Sequence, residues 1–463
     1  MRGSRGVYSV PKTFHKSYFL ICVSILLYWT FMSGYIAMNP VFILFPLLIT
    51  AIFGYFTLKS FYQGIGDYGG YLFFIFIFLG YVINTAVVDA NSDNHVWGTW
   101  RSIGRFNFSS EEFLSLWIIV VVGSAGLIVG TQAAKKFGLS KFKKEVFHSG
   151  FVRSNIGFCL LVWAVFGISI QILMYKFGIG THTVAASVDL PFKLNGALVF
   201  YRDAIHILIL GYILSHIDNR RGFKKWYLLL IAVETVIATV TSLSKSAIIF
   251  RFAPLILYYF FNRGFSVKRL FLIAIIVVPF FSLLTLVISS LRIGNLSGGE
   301  YAVVQESLAG RFDLFDFFTL AMKRVTGAPE LMAVVSYPNL SYETLIGFMT
   351  GTLSDSIGDL NIAFYGLDLG DKMASKGFTF FAVWYMSGSF LLVFLACSLM
   401  AFSVTFLEKL WQSKSLYLLS SFSSVLLAFS FYARGGNRAL YSLLLCVVFY
   451  FIVRMGARRR SQQ

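Results

Sequence analysis

Residues 113–133, FLSLWIIVVVGSAGLIVGTQA, decide the class of this chain. The run carries no Asp, Glu, Lys, Arg or His, and its length matches the roughly 20 residues an α-helix needs to cross the hydrocarbon core of a bilayer. Working outward, similar runs recur over all 463 residues, at about 18–36, 39–57, 71–89, 113–133, 155–175, 196–215, 227–243, 247–261, 270–290, 378–405, 415–433 and 439–453. Composition agrees: 57% of residues are hydrophobic and 13% charged, against about 25% charged in a soluble domain. The expectation is an all-α polytopic membrane protein, a single integral membrane domain over 1–463 with about twelve transmembrane helices. This excludes a soluble enzyme, a disordered tail and a secreted disulfide scaffold. Arg2, Arg5, Lys12 and Lys16 precede the first run, whose length and successors make it an anchor and not a cleaved signal. Cys22, Cys159, Cys397 and Cys446 all fall in apolar runs without CxxC spacing and read as small core residues.

The net charge of +18 is explained by topology. Basic residues concentrate on cytoplasmic segments of membrane proteins. With the N-terminus inside and the spans alternating, cytoplasmic segments hold 24 of the 39 basic residues and only four acids, Asp67, Glu145, Asp218 and Glu408. The other face holds the remaining 15 basic residues and 16 acids, with Glu234 inside a span. Arg458, Arg459 and Arg460 place the C-terminus inside as well. The excess is a topology signal and not a nucleic-acid patch. On the outer face one segment stands out, the loop 291–377; loops that long are uncommon without a purpose. Within it, residues 300–335 read as helical with an amphipathic face suited to a membrane surface, and 336–377 as irregular. Smaller outer loops fall at 90–112 and 176–195.

Cations on the outer face run against the positive-inside rule and so need a reason. They are Arg202 in FYRDAIH, Lys245 and Arg251 in TSLSKSAIIFR, Arg292, Arg311, Lys323, Arg324, and the pair Arg434 and Arg438 around Gly435-Gly436-Asn437. An unpaired cation is costly near the bilayer, and guanidinium binds phosphate oxygens in a bidentate manner. Such a group suits a diphosphate carried on a lipid. The competing reading is structural pairing with Asp203, Asp313, Asp316 or Glu330, and for Arg251 snorkelling or a pair with Glu234 on the neighbouring helix. His15, His95, His148, His182, His206 and His216 have no metal-ligand spacing and read as structural. No metal or cofactor is expected. No Walker A or GxGxxG sits in a strand–helix context, so nucleotide chemistry has no visible site. The acid pairs Asp355/Asp359 and Asp368/Asp371 read as solvated loop residues.

These features resemble the bacterial oligosaccharide repeat-unit polymerases, the Wzy-type O-antigen and capsule polymerases, over most of the chain from about residue 155. In that family a helix starts after a small-residue and basic motif, here Thr241-Ser242-Leu243-Ser244-Lys245-Ser246, with Lys245 where Arg is common. The next helix ends in an Arg that opens the outer loop, here Arg292. Within the loop an Arg-hydrophobic-x-Gly pattern precedes an acid, here Arg324, Gly327 and Glu330. The loop closes on a Gly-rich aromatic helix start, here Gly377 to Gly388.

The resemblance implies a glycosyltransferase that joins two polyprenyl-diphosphate-linked oligosaccharides on the outer side of the cytoplasmic membrane. Bilayer, donor and acceptor lipids, a chain-length regulator and a flippase are then its partners, and nucleic acid is not. A carboxylate would accept the proton of the attacking hydroxyl, Glu330 ahead of Asp313 and Asp316. Fixed cations would stabilise the departing diphosphate: Arg292, Arg311, Arg324, Arg434, Arg438, Lys245 and Arg202. An O-antigen ligase shares the layout but carries a functional His in or after the long loop, whereas residues 217–463 contain none. A lipid-linked oligosaccharide flippase would tend to show paired repeats, and none is found. A non-catalytic scaffold explains the spans but not the cations.

Overall fold

The computed structural model describes chiefly residues 110–137, 150–181, 194–217, 224–244, 327–337, 339–350, 378–410 and 437–461, with shorter stretches near 76–83 and 247–255. Among the described residues every regular element is helical, and five helices are long and apolar enough to cross a membrane: Leu114–Lys136, Ile156–Lys176, Leu194–Ser215, Lys225–Ser242 and Phe390–Leu410. The fold is therefore that of a helical membrane protein. The runs at 18–36, 39–57, 270–290 and 415–433, and parts of those at 71–89 and 247–261, lie outside the described residues.

The chain divides into two compact units. The first comprises Met1–Lys141, Phe318–Lys409 and Leu427–Leu444; the second comprises Phe142–Phe317, Leu410–Leu426 and Leu445–Gln463.

In the first unit, α1 (Ser110–Lys136) opens on Glu111 and Glu112 and closes on Lys135 and Lys136, charges that complement the helix dipole at each end. Its small residues decide its packing. A Cβ at Gly126 would overlap the Phe394 carbonyl oxygen, and one at Gly130 the Ser398 carbonyl oxygen. The backbones of α1 and the later spanning helix thus touch directly, as small-xxx-small pairs permit where apolar lipid supplies no force between helices.

In the second unit, the short α2 (Gly150–Ser154) leads into α3 (Ile156–Lys176). The next span is composite: α4 (Leu194–Phe200), a π-helical turn Tyr201–Ile205 and α5 (His206–Ser215). Then comes α6 (Lys225–Ser242). Leu160, Trp163, Ala164, Leu210, Leu214, Tyr227 and Ile231 form the core between α3, α5 and α6. The opposite faces of α3 and α6 expose Phe158, Val165, Phe166, Leu173, Leu229 and Val233, the surface that lipid covers in a membrane protein.

Three sequence expectations are corrected. The run 378–405 is broken: α9 (Phe380–Tyr385) ends, the chain turns through Gly388 at φ +71, and α10 (Phe390–Leu410) begins. Ser387 accounts for the break, since its Oγ donates to the Trp384 carbonyl at 2.8 Å and accepts from the Ser389 N–H at 3.2 Å. These local bonds compete with continued helix. Second, residues 336–377 are not wholly irregular. α7 (Ala328–Val335) is followed by α8 (Tyr342–Thr350), whose first turn is capped by Ser341 Oγ accepting from the Thr344 N–H at 3.1 Å. The capping serine outweighs the polar composition that suggested loop. Third, the last helix, α11 (Asn437–Ser461), runs past residue 453 through the arginine run.

Candidate functional site

A buried polar cluster lies inside the second unit, where the surrounding helices are apolar. It is centred on Glu234 of α6. Glu234 and Arg251 are each 0% exposed, and Gln171 and His206 1%. Arg251 Nε donates to both carboxylate oxygens of Glu234, at 3.0 and 2.9 Å. Gln171 Nε2, from α3, donates to Glu234 Oε1 at 2.5 Å. His206 Nε2 lies 3.2 Å from the same oxygen, within ion-pair reach but off the line of a well-formed hydrogen bond. The pairing of Arg251 with Glu234 across neighbouring helices is the structural alternative the sequence offered.

Helix geometry explains why these side chains meet. α3 and α6 pack closely along their length, so Gln171 and Glu234 face each other. Gly167 stands one turn before Gln171 on the same face, and a Cβ there would overlap the His206 ring and lie 3.2 Å from Glu234 Oε1. The glycine is the space into which the imidazole fits. Trp163, a further turn back, stacks on His206 with ring centroids 4.5 Å apart and planes 9° from parallel. Its Nε1–H donates to the His206 carbonyl at 2.8 Å. That carbonyl begins α5, just after a π-helical turn, a local irregularity that marks functional sites more often than chance.

The end of this bundle where α3 finishes is the second polar locality. Arg202 in the π turn is buried, with Nε donating to Asp203 Oδ1 at 2.8 Å and Nη2 to Oδ2 at 3.4 Å. Its Nη1 donates to the Gly180 carbonyl at 3.1 Å. One residue on, Thr181 Oγ1 donates to the Thr241 carbonyl at 3.2 Å. Arg202, the 178–181 turn and the end of α6 at Thr241 are thus drawn together. α6 ends there with Leu243 at φ 50, ψ 33. The Leu243 N–H bonds to Val240 O and the Ser244 N–H to Thr239 O, both at 3.3 Å, the pattern of a left-handed helix cap that usually takes glycine. Burial of the Leu243 side chain against Ile248 and Ile288 outweighs the strain.

In the first unit, Glu330 is 1% exposed and sits in the first turn of α7. Its Oε2 accepts the Gly327 N–H at 2.6 Å, the side-chain half of a capping box. Gly327 abuts the Gly80 backbone, where no Cβ would fit. Nearby, Tyr81 Oη donates to Thr379 Oγ1 at 2.8 Å, and Thr379 caps α9 by accepting the Ala382 N–H at 3.3 Å.

Of the residues expected to act as base or to hold diphosphate, Arg202 and Glu330 are described in full. Arg438 lies in the first turn of α11, and Lys245, Arg292, Arg311, Arg324, Arg434, Asp313 and Asp316 lie outside the described residues. His206 reads as structural from the sequence, and Gln171, Trp163 and Tyr201 carry no role there. The available signal was the presence of Gln171, His206, Glu234 and Arg251 within apolar runs, since polar groups at membrane depth face partners or function. Among the described residues no group of three His, Cys, Asp or Glu has metal-binding proximity. No protein-family model, curated protein or solved structure matches the chain. Fold and site together define a helical membrane protein with an intramembrane ion pair at the centre of one of its units.

Proposed function

We propose that the protein is a membrane glycosyltransferase that polymerises polyprenyl-diphosphate-linked oligosaccharide repeat units into O-antigen, capsule or exopolysaccharide. In this reading it crosses the bacterial cytoplasmic membrane about twelve times, with both termini inside and the active site outside. The observation that carries the reading is the gathering of Arg202, the 178–181 turn and Thr241, the first residue of the small-residue motif, at one end of the second unit. Arg202, one of the cations expected to hold diphosphate, thus lies at the same helix mouth as Thr241, where the small-residue motif begins.

The chemistry follows. A hydroxyl of the acceptor sugar attacks the anomeric carbon of the donor. The anomeric C–O bond breaks, and polyprenyl diphosphate departs with the electron pair. Arg292, Arg311, Arg324, Arg434, Arg438 and Lys245 offset the charge that develops there. Arg202 contributes less charge than a free guanidinium, because Asp203 balances it. Three of its N–H groups are committed to Asp203 and Gly180, and of the five on a guanidinium this leaves two for an oxygen of the ligand. The proton of the hydroxyl passes to a carboxylate, Glu330, Asp313 or Asp316.

The intramembrane Glu234–Arg251–His206 cluster favours a second reading, a lipid-linked oligosaccharide flippase, since ionisable groups at membrane depth mark transport pathways. A deletion strain separates the two. Single repeat units on lipid A or at the cell surface identify a polymerase. Lipid-linked units trapped on the cytoplasmic face identify a flippase. Within the first reading, Arg292→Ala, Arg324→Ala and Arg438→Ala should each slow polymer formation about tenfold or more, the loss of one charge-assisted hydrogen bond. Wild-type polymer from all three would remove the diphosphate site.

A further inference from the structure

We propose that His206 is a proton-binding site within the second unit, its imidazole taking up a proton between Glu234 and Tyr201 against the face of Trp163. The inference stands apart from the polymerase reading and concerns the cluster itself. Both ring nitrogens already have groups suited to the two charge states. Nε2 lies 3.2 Å from a carboxylate oxygen of Glu234. Nδ1 lies 3.3 Å from the Tyr201 hydroxyl, a group that donates to a neutral ring and accepts from a charged one. The indole of Trp163 lies parallel to the ring at 4.5 Å, and aromatic faces attract cations. Uptake of a proton from water forms the Nδ1–H bond with the ring's lone pair and breaks no bond in the protein. The Tyr201 O–H turns from donor to acceptor.

Among the described residues, the groups around His206 come from three elements and the 247–255 segment. From α6 the group facing His206 is Glu234, and from the 247–255 segment Arg251, whose Nε is held by both carboxylate oxygens. From α3 the facing groups are the neutral Gln171 and Trp163. From the π turn it is Tyr201, while Arg202 and Asp203 pair with each other and Arg202 reaches Gly180. With His206 neutral, Glu234 and Arg251 sum to zero. Protonation leaves the cluster at +1, favoured by Glu234 and the indole and opposed by Arg251 and burial. Tyr201 shares its π turn with Arg202, so reversal of the tyrosine bond is passed to the segment that ties down the 178–181 turn.

The stacking provides the readout, because a protonated imidazole quenches the emission of an indole in contact with it. The full-length protein in lipid nanodiscs is titrated between about pH 5 and pH 8, around the ordinary histidine range. The chain has 8 tryptophans, so the signal is the difference between wild type and Trp163→Phe. The expected result is a one-proton fall in Trp163 emission as pH falls, lost in His206→Gln. Tyr201→Phe, which leaves the imidazole and its stacking in place, should keep the step and displace its midpoint. A flat difference signal in protein of unchanged hydrodynamic radius overturns the proposal, as does a step that survives in His206→Gln. Should His206→Gln fail to fold, a Tyr201→Phe midpoint identical to wild type overturns it.

Discussion

Replacing Arg251 with Met removes one charge from a pair that has no access to water. Glu234 would keep Gln171 Nε2 as a donor at 2.5 Å and His206 at 3.2 Å, but no full positive charge among the described residues. Two unit charges about 4 Å apart interact by roughly 4 kcal/mol at an effective dielectric of 20. Breaking a buried pair from one side typically costs about 3–5 kcal/mol, because the partner stays buried and uncompensated. A cooperative unit of about 150–250 residues loses roughly 2–4 °C per kcal/mol, so the apparent melting temperature should fall by at least about 6 °C. Removing both charges, in Glu234→Gln with Arg251→Met, should recover most of that loss, since replacing a whole buried pair is often close to neutral. The assay is fluorescence-detected size-exclusion after heating, on wild type, both single variants and the double variant, in one detergent. The double-mutant cycle should give a coupling of about 2 kcal/mol or more. Single variants that melt with wild type, or a double variant that loses the sum of both, would refute the argument that the ion pair holds this unit.

The same structure makes other demands. Gly167→Ala places a methyl group where the His206 ring lies; overpacking of this kind should cost about 1–3 kcal/mol, measured by the same heating assay, and a variant as stable as wild type would mean the imidazole has room to move. Glu330 separates two roles by two substitutions. As the partner of the Gly327 N–H, it should tolerate Gln, which keeps the acceptor oxygen, and lose about 0.5–2 kcal/mol as Ala. As the base it should lose polymer formation as Gln, so full-length polymer from Glu330→Gln moves the base to Asp313 or Asp316. Topology is tested by Ser297→Cys, which should react with a membrane-impermeant maleimide in intact spheroplasts; labelling only after lysis reverses the orientation.

Class and spans were legible from hydropathy because the bilayer imposes a length on any helix that crosses it. Four of the five spanning helices among the described residues, Leu114–Lys136, Ile156–Lys176, Leu194–Ser215 and Lys225–Ser242, fall within a few residues of the apolar runs. The fifth was misread at its start, because apolarity is continuous across Tyr385–Phe390 while Ser387 and Gly388 turn the chain by local bonding. Charge by itself also marked Arg251 and Glu234 as a possible pair, since two opposite charges in adjacent apolar helices have few other partners. Only the tertiary structure decided the rest. His206 carries no motif; it gains its setting from Gly167, Trp163 and Glu234 on two other helices, contacts set by helix rotation and crossing, which no local pattern encodes. For Arg202 the sequence offered both a diphosphate contact and a pair with Asp203; the pair is present, and the tie to Gly180 exists because the fold brings the end of α3 beside the π turn.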